Sequence, residues 1–168
     1  MKITDGQASP EALAAFGHEA AELLSSGDFY ALATKFGYAL AFERDPATAI
    51  RDDLSAILAE LGAASLGPPL SLPSVSRFKP NDTALIALVE QRIPTNNGRH
   101  VLLELVVSAH AADRHLVLEQ ISAADGAPAN AAGRRGSAEL FAVFSESESS
   151  PPCDGLNRSE QAPLPLWE

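Results

Sequence analysis

Cysteine is nearly absent: Cys153 stands alone among 168 residues, so no disulfide can form within the chain. A fold without such staples has to hold itself together by burial, and the lone thiol points to a reducing compartment. Long apolar runs are also missing, none approaching the roughly 18 residues needed to cross a bilayer. The opening stretch MKITDGQASP carries no apolar core of a secretory leader. A cytoplasmic protein with no membrane partner is expected. Basic residues are scarce, 12 Lys and Arg against 22 Asp and Glu, for a formal charge of −10. Without a Lys/Arg cluster there is no footprint for a phosphate backbone, so nucleic acid is not an expected partner; a basic protein would instead be steered in.

Chemical signatures are missing as well. No phosphate-cradling loop, dinucleotide fingerprint or Gly-x-Ser-x-Gly turn occurs, and Cys153 is remote in sequence from every histidine. The one glycine-rich patch, Gly133 and Gly136 around Arg134 and Arg135, follows no strand and opens no helix. No cofactor is expected.

What is present is a 46% apolar fraction, arranged with period. Ser9 and Pro10 read as N-cap and first helical residue, Leu13, Phe16, Ala20, Leu23 and Leu24 form one stripe, and Gly27 ends it. A second helix is read from Phe29, with apolar positions at Leu32, Phe36 and Leu40, running to about Phe42 and weakened at Gly37. Asp45 and Pro46 open a third, through Ile50, Leu54, Ile57, Leu58 and Leu61 to Gly62. Residues 63–82 hold Pro68, Pro69, Pro73 and Pro80 and read as a crossing loop.

Three strands are then expected, over 83–93, 99–110 and 114–122, rich in Leu, Ile and Val. The first also fits a helix capped by Asn81 or Asp82, but the Asn96-Asn97-Gly98 turn leading out of it favours a hairpin. In the second, Val101, Leu103, Leu105 and Val107 share one face and His100, Leu102, Glu104, Val106, Ser108 and His110 the other. From Asp125 the composition turns to Gly, Ala, Asn, Ser and Glu, which buries too little apolar surface to offset ordering entropy. The fold class expected is α+β: a domain over 1–124 with three N-terminal helices on a curved antiparallel sheet of three to four strands, then an acidic, mostly disordered tail over 125–168. Within that tail, 140–144 reads as a further edge strand, and Leu164, Leu166 and Trp167 as a partner-docking segment.

Three helices closing at Gly62, a proline loop and long hairpin-joined strands, with the texture of GDFYALATKFGYAL before a capped helix, resemble the cone-shaped nuclear-transport-factor-two-like, or cystatin-like, superfamily over residues 9–122. The resemblance implies a cone of helices and curved sheet. It transfers no active-site residue, because members use the cone for catalysis, ligand binding, partner binding and toxin immunity.

Two functional readings follow. A non-catalytic protein-interaction module, of regulatory or toxin-immunity type, suits the acidic balance, the absent catalytic signatures and the Trp-bearing C-terminal segment, with the open sheet face available for a homodimer. A small-molecule binder or enzyme would instead use a cone pocket lined by Tyr30, Tyr38, Arg92, His100, Glu104 and Glu119, where burial perturbs acid–base groups. His110 and His115 flank a turn with Asp113 between them; two histidines and one carboxylate fall short of a firm zinc set, so no metal is expected.

Overall fold

Capping chemistry sets the ends of both long helices. The computed structural model describes residues 1–79, 83–110 and 113–124. In it, Ser9 accepts a hydrogen bond from the Ala12 amide at 3.2 Å and Pro10 begins α1 (Pro10–Ser26). Such a cap is worth about 1 kcal/mol. Asp45 does the same for α3 (Pro46–Leu61), accepting from the Thr48 amide at 2.9 Å and its hydroxyl at 2.8 Å, bonds that hold its carboxyl below the ordinary carboxylate range. The helix between them, α2 (Phe29–Phe36), is capped by Asp28 through the Ala31 amide.

α2 is shorter than the apolar spacing predicts. Gly37 takes φ 70° and ψ −171°, a conformation outside the helical region that a side chain would resist, and the chain leaves the helix there. Leu40 is carried by a separate 3₁₀ turn, Ala39–Ala41, and packs half-buried against the core.

The sheet is antiparallel, curled and five-stranded, in the order β1-β5-β4-β3-β2. Three strands match the expected ones: β3 (Leu85–Pro94), β4 (His100–His110) and β5 (Asp113–Ala124). The segment read alternatively as a helix is thus a strand. Two short edges, β1 (Lys2–Ile3) and β2 (Ser74–Arg77), have too few residues to show an alternation, and β2 lies inside the proline-rich stretch read as loop. The strand expected at 140–144 and the segment bearing Leu164, Leu166 and Trp167 lie outside the described residues.

The β3–β4 turn also anchors the end of α3. Thr95 and Arg99 close it through an amide–carbonyl bond of 2.8 Å, with Gly98 at φ 82°. Asn97 donates to the Leu61 carbonyl at 2.9 Å, satisfying a helix end, and Asn96 accepts from the Ala64 amide at 2.9 Å. Gly98 alone supplies the positive φ of the turn, and the two asparagines before it act as a clamp on the end of α3.

Helices cover one face of the sheet. Val101, Leu103, Leu105 and Val107 are all fully buried there, with Val89, Ile93, Leu116 and Leu118 beside them and Leu13, Leu24, Leu32, Phe36 and Ile50 above. Each such Leu or Phe adds about 1.5–3 kcal/mol of transfer free energy. α1 approaches closely because residue 17 is glycine: a Cβ there would fall 2.7 Å from Val89 Cγ1 and 3.0 Å from Pro73 Cγ.

Candidate functional site

Of the six residues proposed to share a pocket, Arg92, His100 and Glu104 lie as neighbours on one face of β3 and β4, whereas Tyr30 and Tyr38 belong to the helical side. Tyr30, on the first turn of α2, is 77% exposed. Tyr38 is buried, with its hydroxyl donating to Asp53 on α3. Arg92, His100 and Glu104 occupy the sheet positions that alternate with the helix-facing ones, pairing with Leu102, Pro94 and Glu90 respectively. Glu119 is the extra residue of a bulge, since Gln120 opposes Glu104 while Leu118 opposes Leu105. Burial lifts the Glu119 carboxyl above its ordinary range, and Gln120 donates to Glu104 across the strands.

Between helices and sheet, where a cone pocket would lie, Phe36, Leu32, Leu103, Leu105 and Leu118 fill the space. A cleft of about 420 Å³ lies instead at the far end of α3, lined by Glu60, Leu61, Gly98, Arg99, His100, Ala123 and Ala124. His100 alone of the six residues reaches it.

His110 and His115 do meet, edge to face, with ring centroids 6.3 Å apart. Asp113 turns to Lys2, at 2.7 Å, which holds its carboxyl below the ordinary range. Among the described residues no group of three His, Cys, Asp or Glu side chains is placed to hold a metal ion, and no helix is long and apolar enough to cross a membrane.

What the residues do build is a braced projection between α2 and α3. Tyr38 donates to Asp53 Oδ2 at 2.8 Å, and the Arg44 guanidinium donates to both Asp53 oxygens at 3.3 and 3.4 Å and to the Leu40 carbonyl at 3.0 Å. At the tip Phe42 is 83% exposed and sits at φ 51°, ψ −118°. For a residue with a side chain that backbone costs about 1–3 kcal/mol. The turn that sets this backbone is closed by the Arg44 amide donating to the Ala41 carbonyl at 2.9 Å, and the exposed ring itself gains little burial among the described residues. Periodicity placed Phe42 at the end of a helix and gave no hint of this; only Gly37 marked the break.

A second set of exposed apolar side chains stands on the crossing loop. Leu70 and Leu72 are 82% and 86% exposed, with Phe78 just beyond β2. The loop carrying them is pinned: Gly67 donates to the Pro94 carbonyl at 2.7 Å, and Gln91, fully buried on β3, donates to the Ser71 carbonyl at 2.9 Å. Comparison with protein-family models, with curated proteins and with solved structures finds no match to this chain in any of the three.

Proposed function

We propose that this chain is a non-catalytic protein-binding domain, of the kind that regulates or neutralises another protein. The observation that carries the reading is Phe42, a large apolar ring held in solvent on a strained backbone by the Tyr38–Asp53–Arg44 brace. Strain kept at an exposed aromatic is expected where a pre-ordered anchor enters a partner's pocket, because ordering the anchor beforehand lowers the cost of binding. The packed interior supports the same reading, since a cone filled by Leu and Phe leaves little room for a substrate. The element order, three helices followed by hairpin-built strands, supports kinship with the cone-shaped superfamily, in which partner binding is one established use.

The test is affinity enrichment from cells that make the protein, with the full chain and its Phe42→Gly variant as parallel baits. A protein recovered by the first and depleted about tenfold or more with the second is expected, the loss typical of an aromatic anchor. Equal recovery on both baits, or purified chain that turns over a small molecule in a manner sensitive to Arg99 or His100 at the cleft, would overturn it.

A further inference from the structure

Among the described residues β2 is the last strand of the sheet, and no strand pairs with its outer edge. Phe78 donates its amide to the Ile86 carbonyl of β3 at 3.0 Å, so by the alternation of an antiparallel ladder Ser76 and Ser74 also point inward to β3. The amides and carbonyls of Val75 and Arg77 therefore point away from the sheet, and among the described residues nothing pairs with them. Such an edge is a template for another strand. The opposite edge, β1, is only two residues long and offers far less.

The flanks of β2 say what kind of strand would fit. Leu70 and Leu72 on one side and Phe78 on the other leave apolar surface in solvent, while Pro73 and the cation Arg77 are residues of the kind that keep an edge from pairing indiscriminately, so a strand that adds here has to answer that charge. Electrostatics narrows the choice further. Residues 74–78 read Ser-Val-Ser-Arg-Phe, a stretch with a cation and no acid in a chain with a formal charge of −10. Arg77 is exposed, and its guanidinium donates to the Ala8 carbonyl, a neutral acceptor. A residue placed directly opposite Arg77 on an added antiparallel strand would have its Cβ about 5 Å away on the same face.

From this edge we infer that β2 accepts an extended segment of a partner protein as a sixth strand, one carrying a carboxylate opposite Arg77 and apolar residues against Leu72 and Phe78. The inference rests on the protein-binding reading and gives it a second contact, separate from Phe42. It also refines the expectation of a basic partner: net charge governs attraction from afar, while Arg77 selects the residue that docks beside it. A second copy of this chain fits less well, because a twofold axis at Ser76 would set the Arg77 side chains of both copies on one face of the same short ladder.

The probe is a pair of labelled peptides, acetyl-Glu-Val-Glu-Val-Glu-Val-Glu-amide and its Lys counterpart, titrated with the full chain at low salt by fluorescence anisotropy. The acidic peptide is expected to bind and the basic one not. Arg77→Glu should weaken the acidic peptide about tenfold and make the Lys peptide the tighter ligand. Val75→Pro removes one outward amide without touching the β3 ladder and should weaken binding about fivefold while thermal unfolding stays near wild type. Equal binding of both peptides, an unchanged preference in Arg77→Glu, or a wild-type dimer abolished by Val75→Pro would each overturn the inference. Failure here with a Phe42-dependent partner still recovered would sink strand addition alone; loss of that partner with peptide binding intact would sink the Phe42 reading instead.

Discussion

Tyr38 and Asp53, 15 residues apart, are joined by a 2.8 Å hydrogen bond that ties the turn after α2 to the second turn of α3. Burial comes first among the causes that push the Tyr38 phenol far above its ordinary value, and the bond to the Asp53 carboxylate adds to it. The folded state therefore holds this proton more tightly than the unfolded chain does. Stability is complete below the unfolded phenol pKa of about 10 and falls as pH rises beyond it, because there the unfolded state has lost a proton that the folded state keeps. Tyr38→Phe should flatten that alkaline limb and cost about 1–2 kcal/mol at neutral pH, the worth of a hydrogen bond to a charged acceptor whose other partner, Arg44, remains. Urea unfolding at pH 7 and pH 11 checks both. In a Tyr30→Phe background, phenolate absorbance should rise together with unfolding; a rise well ahead of it would show that the proton is not held.

Phe42 should separate stability from binding. Glycine accepts φ 51° without the steric cost that a side chain bears there, and a ring 83% exposed gives up almost no burial when it is removed. Phe42→Gly is therefore expected to unfold at the same temperature or a few degrees higher, a gain of up to about 1 kcal/mol once glycine's extra chain entropy is counted. The same variant should lose the partner. A melting temperature several degrees lower would mean that the ring packs on something within the chain, and the anchor reading would fail with it.

Much of this fold was legible because its signals are local. Ser9-Pro10, Asp45-Pro46, Gly27 and Gly62 bound α1 and α3 by backbone chemistry that needs no tertiary context. The alternation from Val101 to Val107 marks a sheet face directly, and those four residues are fully buried. β2 was hidden because its four residues, Ser-Val-Ser-Arg, become a strand only through β3, whose ladder reaches across a proline-rich approach. The site was less legible still. Tyr38 gains its role from Asp53 and Arg44, a contact across two elements, and Phe42 stands out only when its φ and exposure are known. Strand alternation puts Arg92, His100 and Glu104 on one sheet face, but it says nothing of Tyr30, exposed on α2, or of Glu119, displaced into a bulge.

Gly17 tests how closely α1 sits on the sheet. Alanine would favour the helix by about 1 kcal/mol, yet its methyl would lie 2.7 Å from Val89 Cγ1 and 3.0 Å from Pro73 Cγ, and neither a valine methyl nor a proline ring can swing aside. Overpacking of this kind costs about 1–3 kcal/mol, so a net loss of about 1 kcal/mol is expected. The cost should shrink in a Val89→Ala background, where only the Pro73 contacts at 3.0 and 3.1 Å remain. A double-mutant cycle by chemical denaturation gives the coupling, and additive effects would show that the helix simply moves away.

Gln91 is the polar residue at the centre of an apolar face, and its two ends are treated differently. The amide nitrogen donates to the Ser71 and Arg92 carbonyls, both at 2.9 Å, while Oε1 is buried with no partner among the described residues. An unsatisfied buried acceptor costs about 1–3 kcal/mol, which is comparable to what the two donated bonds return. Gln91→Leu, nearly the same in volume, is accordingly expected to unfold within about 1 kcal/mol of wild type. Gln91→Ala should lose about 2–4 kcal/mol by opening a cavity. Of the two donated bonds only the one to Ser71 reaches the loop, so limited proteolysis should cut the Leu variant faster near Leu70 and Leu72 while its global stability holds. If the Leu variant were as unstable as the Ala one, Oε1 would have to be satisfied in the native state by a water or by another part of the chain, and the loop that presents Leu70 and Leu72 would owe its position to something other than this single amide.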